Sequence, residues 1–350
     1  MKPLVVIDAD VLGRRRTGDE TYIAALLGEL APLADRERLA AVTRQVDLVP
    51  EGIEPILLPA RSQIARMSFG FPRALRRLRP ALAHFTHVIP PAYRGRAVLT
   101  VHDLSYERHP RLMGPRDRFL FRTLVPRSVR RADRVLTGSE WTKHDLIERY
   151  GVDEGRIAVT PYGVDPLFTP EGPARTGGPP YALFVGAIQP RKDPLTALEA
   201  LARIDSGLRL LITGPEKSGG DEVRAAIERL GLGGRVELTG HVSRDELAAL
   251  YRDAACFVFP SRYEGFGLPV LEAMASGIPV VASNAGALPE VAGDAAILVE
   301  PGDPVALADG IERALADRER LVQLGLERAR RFSWTETAKQ TLAVYRELLY

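Results

Sequence analysis

Cysteine is nearly absent from this chain, and asparagine and lysine are almost as scarce. No apolar run approaches the roughly 20 residues that span a bilayer. A lone cysteine, Cys256, excludes an internal disulfide, and its place within Ala255-Cys256-Phe257-Val258-Phe259 reads as a buried strand position. The start, Met1 to Asp8, is a short apolar run ending in an acid. It lacks the apolar stretch and small-residue cleavage site of a secretory signal, which predicts a cytoplasmic protein. Five lysines stand against 42 arginines, with Asn284 the single asparagine, so thermolabile positions are few and heat tolerance is expected. The histidines are His84, His87, His102, His109, His144 and His241. His84 and His87 lie three apart but have no Cys or carboxylate partner close in sequence, so no zinc site and no required metal is expected.

What is present is globular: 350 residues, 45% hydrophobic and 26% charged, a length that fits two doubly wound domains of roughly 150 to 180 residues each. Short β-branched and apolar runs alternate with longer amphipathic stretches, the pattern of βα units that build parallel sheets. Strands are predicted near 4–8, 39–43, 54–58, 82–85, 97–101, 133–137 and 157–160, then again near 181–186, 208–213, 235–239, 255–259, 278–282 and 295–299. Tyr22, Ile23, Leu26, Leu27 and Leu30 share one side at helical spacing, and Ser139 is placed to cap a helix over 139–150. The Pro/Gly-rich stretch 169–180 has no periodicity and reads as a linker. The predicted division is therefore a domain over 1–168, a linker over 169–180, a second domain over 181–332 and a terminal helix over 333–350. Ser333 is that helix's expected cap, and Trp334, Ala338, Leu342, Tyr345 and Leu349 form its apolar face.

Charge divides the chain as well. Residues 1–165 hold 27 Lys plus Arg against 20 Asp plus Glu, and residues 166–350 hold 20 against 25, so the halves carry +7 and −5. Between Glu54 and Asp103 there is no acid, yet there are arginines at 61, 66, 73, 76, 77, 79, 94 and 96. Ile64, Met67, Phe71, Leu75 and Leu78 fall near helical spacing among them, with Gly70 and Pro72 as an expected break. Such a segment suits peripheral contact with an anionic membrane face. No nucleic acid partner is expected.

The most informative segment runs from Pro260 to Ser283. An apolar strand ends at Pro260, a turn containing Gly265 and Gly267 follows, and a short helix is predicted from Leu268. Glycines let a backbone approach a ligand closely, and a helix start beyond a strand's carboxyl end in an open α/β sheet offers unpaired N–H groups. Glu264 lies in the turn and Glu272 projects from the helix, so two carboxylates are expected in one cleft. A second group, Gly186 to Asp193, ends the first strand after the linker and supplies the adjacent cations Arg191 and Lys192. Cations there would neutralise charge developing on a phosphate leaving group.

This segment resembles the Glu-x7-Glu motif of the family-4 retaining glycosyltransferases. The resemblance covers nearly the whole chain and is strongest from Gly186 to Val299. It implies an α/β protein of GT-B fold, with two Rossmann-like domains facing a central cleft and the C-terminal helix packing back on the first. It implies transfer of a hexosyl group from a UDP-, GDP- or ADP-sugar to an acceptor sugar or lipid-linked sugar, with no cofactor. Carried over, Glu272 holds the ribose, while Glu264, Gly265, Phe266, Gly267 and Leu268 surround the donor sugar. Arg191 and Lys192 face the diphosphate, Gly186 lies beside them, and Val242 borders the base. In the first half, His102 after the strand Ala97–Val101 matches the family's active-site histidine, and Gly18 matches its glycine loop. Asp19 and Glu20 depart from that loop's usual pattern by setting acids where an anion would sit. Asp8-Ala9-Asp10 spells the metal-binding Asp-x-Asp of another glycosyltransferase fold, but it follows a Rossmann-type first strand and has no second acidic cluster, so it is set aside. Two alternatives stay open: a sugar-nucleotide epimerase or phosphorylase of similar fold, and a non-catalytic nucleotide-sugar-binding subunit.

Overall fold

The computed structural model describes residues 2–14, 17–59, 62–110, 114–174 and 178–350. They form two compact units, one running from the N-terminus to Gly163 and completed by Ser333–Tyr350, the other Val164–Phe332.

The first unit is built on seven parallel strands, β1 (Leu4–Asp8), β2 (Arg38–Thr43), β3 (Glu54–Leu57), β4 (Leu82–Thr86), β5 (Ala97–Thr100), β6 (Arg134–Thr137) and β7 (Ile157–Val159), in the order β3-β2-β1-β4-β5-β6-β7. Val5, Val6 and Ile7 of β1 and Ala97, Val98 and Leu99 of β5 are all fully buried. That is why these strands read as continuous apolar runs and not as alternating ones. Helix Thr17–Leu33 turns the predicted Tyr22, Ile23, Leu26, Leu27 and Leu30 into this core, each fully buried. Helix Glu140–Tyr150 is capped by Ser139, whose hydroxyl accepts from the Thr142 N–H at 3.1 Å.

The second unit repeats the plan with β8 (Tyr181–Val185), β9 (Arg209–Thr213), β10 (Val236–Gly240), β11 (Cys256–Phe259), β12 (Val280–Ser283) and β13 (Ala296–Val299), ordered β10-β9-β8-β11-β12-β13 and parallel throughout. Cys256 is buried within β11, as expected. In both sheets the strand order reverses beside the first strand, at β1/β4 and at β8/β11. Such switch points leave a crevice at the strands' carboxyl ends where ligands bind.

Three expectations need correction. The change of unit falls at Gly163/Val164, ahead of the expected 168/169, because Arg252 gathers the Pro/Gly stretch into the second unit. Its guanidinium donates to the carbonyls of Leu167 at 2.9 Å, Thr169 at 2.9 Å and Pro173 at 2.8 Å. Ser333 stands at the N-cap of helix Trp334–Leu349, but its hydroxyl makes no capping bond. The helix is held by its side chains instead. Thr335 donates to Glu29 at 2.7 Å, Arg346 pairs with Glu37 at 2.9 Å, and Trp334, Ala338, Leu342 and Tyr345 are buried while Leu349 is half-buried.

The third concerns the arginine-rich segment, where, in place of the break expected at Gly70 and Pro72, a π-helical turn over Arg66–Gly70 runs on into helix Phe71–Leu78. Phe71 and Leu75 are core residues of the first unit, so the expected apolar face is spent on its own domain. Arg66 is buried as well, its guanidinium paired with Asp8 and Asp10. Arg73, Arg76, Arg77 and Arg79 are exposed, together with Ile64 and Phe69, while Arg61 lies outside the described residues. Among the described residues no helix is long and apolar enough to cross a membrane.

Candidate active site

At the β8/β11 switch point two loops are stitched together. The Arg191 carbonyl accepts from the Arg262 N–H at 2.8 Å and from the Ser261 hydroxyl at 3.2 Å, while the Arg191 guanidinium donates to the Tyr263 carbonyl at 2.7 Å. Asp193 takes a left-handed backbone with φ 53° to cap helix Pro194–Leu201, and Arg262 grips its carboxylate at 2.8 Å. These bonds bring Glu264 between Lys192 at 2.6 Å and Arg191 at 3.1 Å, with the Ser261 hydroxyl also donating to it. Burial raises the Glu264 pKa, but the two cations and the Ser261 hydrogen bond outweigh it and hold the carboxyl at about 2. Glu264 is therefore a fixed carboxylate that accepts hydrogen bonds and does not deliver a proton near neutrality. With two cations on one carboxylate, the cluster keeps a net charge of +1.

Glycines make this cluster possible. At Gly286, φ 58°, a Cβ would come within 2.3 Å of the Glu264 carbonyl oxygen, and Ala287 N–H donates to that same oxygen at 2.9 Å. Gly286 lies 22 positions after Glu264, and nothing in the turn sequence points to it. Gly267 caps helix Leu268–Ala275 at φ 111°. Gly186 is covered by the Lys192 side chain, 3.5 Å from where its Cβ would stand. Phe266 is buried against Phe332, ring centres 5.9 Å apart, so only its backbone is available to a ligand.

Glu272 is not part of that ion cluster. Its carboxylate accepts from the Tyr251 hydroxyl at 3.0 Å. Desolvation pushes its pKa up to about 7, against the Tyr251 hydrogen bond and the Arg244 charge, which pull it down. Tyr251 lies on helix Arg244–Asp253, which opens on Ser243 with a reciprocal Ser243–Glu246 cap and follows Val242 directly. Val242 and Glu272 are thus joined through one helix.

In the first unit the β1/β4 switch point gathers a different set. His87 follows β4 with φ 60°, His102 follows β5, and Asp19 lies in the first turn of helix Thr17–Leu33. Asp19 carboxylate oxygens stand 3.9 Å from His87 Nε2 and 3.9 Å from His102 Nε2. The other nitrogen of His102 is 2.6 Å from the Tyr162 hydroxyl. Burial pushes His102 down to about 4, more than Asp19 raises it, so the ring is neutral at neutral pH. Glu20 closes the Gly13–Glu20 loop, its carboxylate accepting the Gly13 N–H at 2.6 Å. Gly18 is exposed, and among the described residues a Cβ there would meet nothing within 4 Å.

Sequence reasoning missed the carboxylate partner of His87, which it sought near in sequence and which the fold supplies from Asp19. His84 points away into the core, 2.5 Å from the Tyr345 hydroxyl and 2.7 Å from Thr100 Oγ1. Asp8 and Asp10 are engaged by Arg66, with Arg44 also on Asp10 at 2.8 Å.

The family model for Glycosyltransferase Family 4 matches residues 16–167, and that for Glycosyl transferases group 1 matches residues 169–332. The O-antigen chain mannosyltransferase B of Escherichia coli is 34% identical over 295 residues, covering 79% of this chain and 76% of that protein. The chain belongs to glycosyltransferase family 4. A D-inositol 3-phosphate glycosyltransferase of Kineococcus radiotolerans is 35% identical over 251 residues, 62% of this chain and 58% of that relative, so the match spans little over half of the relative's length. Among solved structures, a sucrose-phosphate synthase from Thermosynechococcus elongatus superposes with a TM-score of 0.81 at 25% identity, covering 99% of both chains. This family member therefore has the GT-B fold and is a glycosyltransferase.

Proposed function

We propose that this glycosyltransferase is a retaining hexosyltransferase that takes its sugar from a nucleotide-diphosphate donor held by the second unit. The acceptor would be a hydroxyl of a sugar or lipid-linked sugar in cell-envelope polysaccharide or glycolipid synthesis. The observation that carries the reading is the Arg191–Lys192–Glu264 cluster at the β8/β11 switch point, with the Glu272 carboxylate on the helix that follows. Its residual positive charge suits a diphosphate, whose leaving oxygen gains negative charge as the glycosidic bond breaks. Glu272 suits the two adjacent ribose hydroxyls, and the Gly265–Leu268 backbone with Glu264 suits the hexose. His102, a neutral ring in the first unit, would contact the donor sugar near the reacting carbon, and Gly18 would allow backbone approach to the donor. Val242 and Gly186 would complete the nucleotide's surroundings.

In a retaining reaction the acceptor hydroxyl attacks from the face the phosphate leaves, and the departing phosphate oxygen is the nearest base for its proton. Arg191 and Lys192 would then lower the barrier by holding that phosphate as its charge grows. The mannosyl named for the Escherichia coli relative and the phosphorylated acceptor named for the Kineococcus one are both compatible with this arrangement.

Glu272→Ala should weaken nucleoside diphosphate binding by calorimetry, whereas Glu264→Ala should mainly lower turnover. Equal nucleotide affinity in wild type and Glu272→Ala would remove the ribose assignment. Proton NMR of the first-formed product, read for its anomeric configuration, tests retention directly.

A further inference from the structure

We propose that Asp19, His87 and His102 form a binding site for a divalent transition-metal ion of the zinc class, and that the ion inhibits transfer by occupying His102. The three side chains come from a helix start and two strand ends, and their ligand atoms all lie within 4.8 Å of one another. Two imidazoles and a carboxylate are a ligand set that zinc-type ions favour over magnesium or calcium. At metal–ligand distances of about 2.0–2.2 Å, the edge of a tetrahedral site is about 3.3–3.6 Å. The two 3.9 Å carboxylate–imidazole separations run to different oxygens of Asp19, so a small turn of the carboxylate toward the rings is needed to bring one oxygen and both imidazoles onto an ion.

Two observations beyond proximity point to a ligand. His102 Nε2, the nitrogen that faces Asp19, is shielded from solvent and has no hydrogen-bond partner among the described residues, which is costly for a buried imidazole nitrogen unless something binds there. The Tyr162 hydroxyl, 2.6 Å from His102 Nδ1, provides the outer-shell bond that orients metal-ligating imidazoles. Three protein ligands leave the ion open positions, which water or a sugar hydroxyl could fill.

The binding claim stands on this geometry alone, and only the inhibition rests on the proposed transferase role of His102. Isothermal titration of the whole protein with Zn2+ should find one site per chain, and Co2+ should give a visible absorption band of a low-coordinate site. His87→Ala and Asp19→Asn should each weaken that site more than about 100-fold, beyond the 10–100-fold expected when only an outer-shell partner such as Tyr162 is lost. Their circular dichroism and melting should match wild type, and the variant that passes this check decides the case. Zn2+ should inhibit sugar transfer in wild type and not in His87→Ala. Absence of a one-to-one site, or equal Zn2+ affinity in a folded His87→Ala or Asp19→Asn, overturns the site. Binding as expected without inhibition overturns only the inhibitory role. Binding as expected in a protein that transfers no sugar leaves the site in place and counts against the transferase reading.

Discussion

Glu264 and Glu272 are separated by eight positions and titrate in opposite directions, because one is surrounded by cations and the other is desolvated beside a tyrosine. Glu264 is held at about 2 and stays charged throughout the ordinary range. Glu272, raised to about 7, is half-protonated near neutrality. The unfolded chain loses the Glu272 proton at its ordinary value of 4.5, so between there and about 7 the folded state binds more protons than the unfolded one. The stability this group contributes is therefore lost as pH rises through that window. Nucleotide affinity should move the other way, since a ribose needs the carboxylate as acceptor. Calorimetric titration with a nucleoside diphosphate should show weaker binding at pH 6 than at pH 8, and Glu272→Gln should flatten the profile; a wild-type profile unchanged by that substitution would place the titrating group elsewhere. The sequence put Glu264 in the turn and Glu272 on the following helix, where the structure has them. Their opposite environments were not legible there, because Tyr251, Arg191 and Lys192 come from other elements.

At the level of elements, the terminal helix Trp334–Leu349 controls more than a surface. Trp334 stacks on Tyr162, ring centres 5.8 Å apart and 15° between planes, and Tyr162 in turn bonds His102. Gly163 admits this arrangement, since a Cβ there would clash with the backbone nitrogen of Trp334. The helix therefore sets the orientation of the histidine through Tyr162, a positioning residue. Tyr162→Phe removes one hydrogen bond, worth about 0.5–1.5 kcal/mol, so kcat should fall by roughly 2- to 12-fold. Nucleoside diphosphate affinity should stay unchanged, because Glu272 lies in the other unit; steady-state kinetics beside calorimetry separates the two. All thirteen strands of the described residues were legible in the sequence as short runs between turn signals, most of them apolar and buried, although the edge strands β3 and β10 are largely exposed or half-buried. The Tyr345–His84 bond, linking residues 261 positions apart, was not, nor was the convergence of Asp19, His87 and His102. Contacts of that kind depend on strand order, and nothing in a strand's own residues encodes which neighbour it will have. The Asp-x-Asp of β1 shows the same limit. Its acids proved to be anchors for Arg66 and Arg44, partners distant in sequence.

For the molecule as a whole, the +7 carried by residues 1–165 remains partly available after folding. Arg73, Arg76, Arg77 and Arg79 are exposed near Ile64 at 55% and Phe69 at 75% exposure. Each basic residue near an anionic surface contributes about 1 kcal/mol, enough together for reversible docking. Sedimentation with vesicles should show binding that rises with anionic lipid and falls with salt, and equal partition onto neutral vesicles would count against it. The return of Ser333–Tyr350 to the first unit also carries a consequence for synthesis. A ribosome makes residues 1–163 first, yet their sheet lacks its covering helix, and His84 its tyrosine, until residue 345 has emerged. Val164–Phe332 is continuous in sequence, and its last strand, ending at Val299, is made before that helix. Domains usually mature in the order they are translated. Here the unit that begins first is completed last, because its terminal helix is made only after every residue of the second unit.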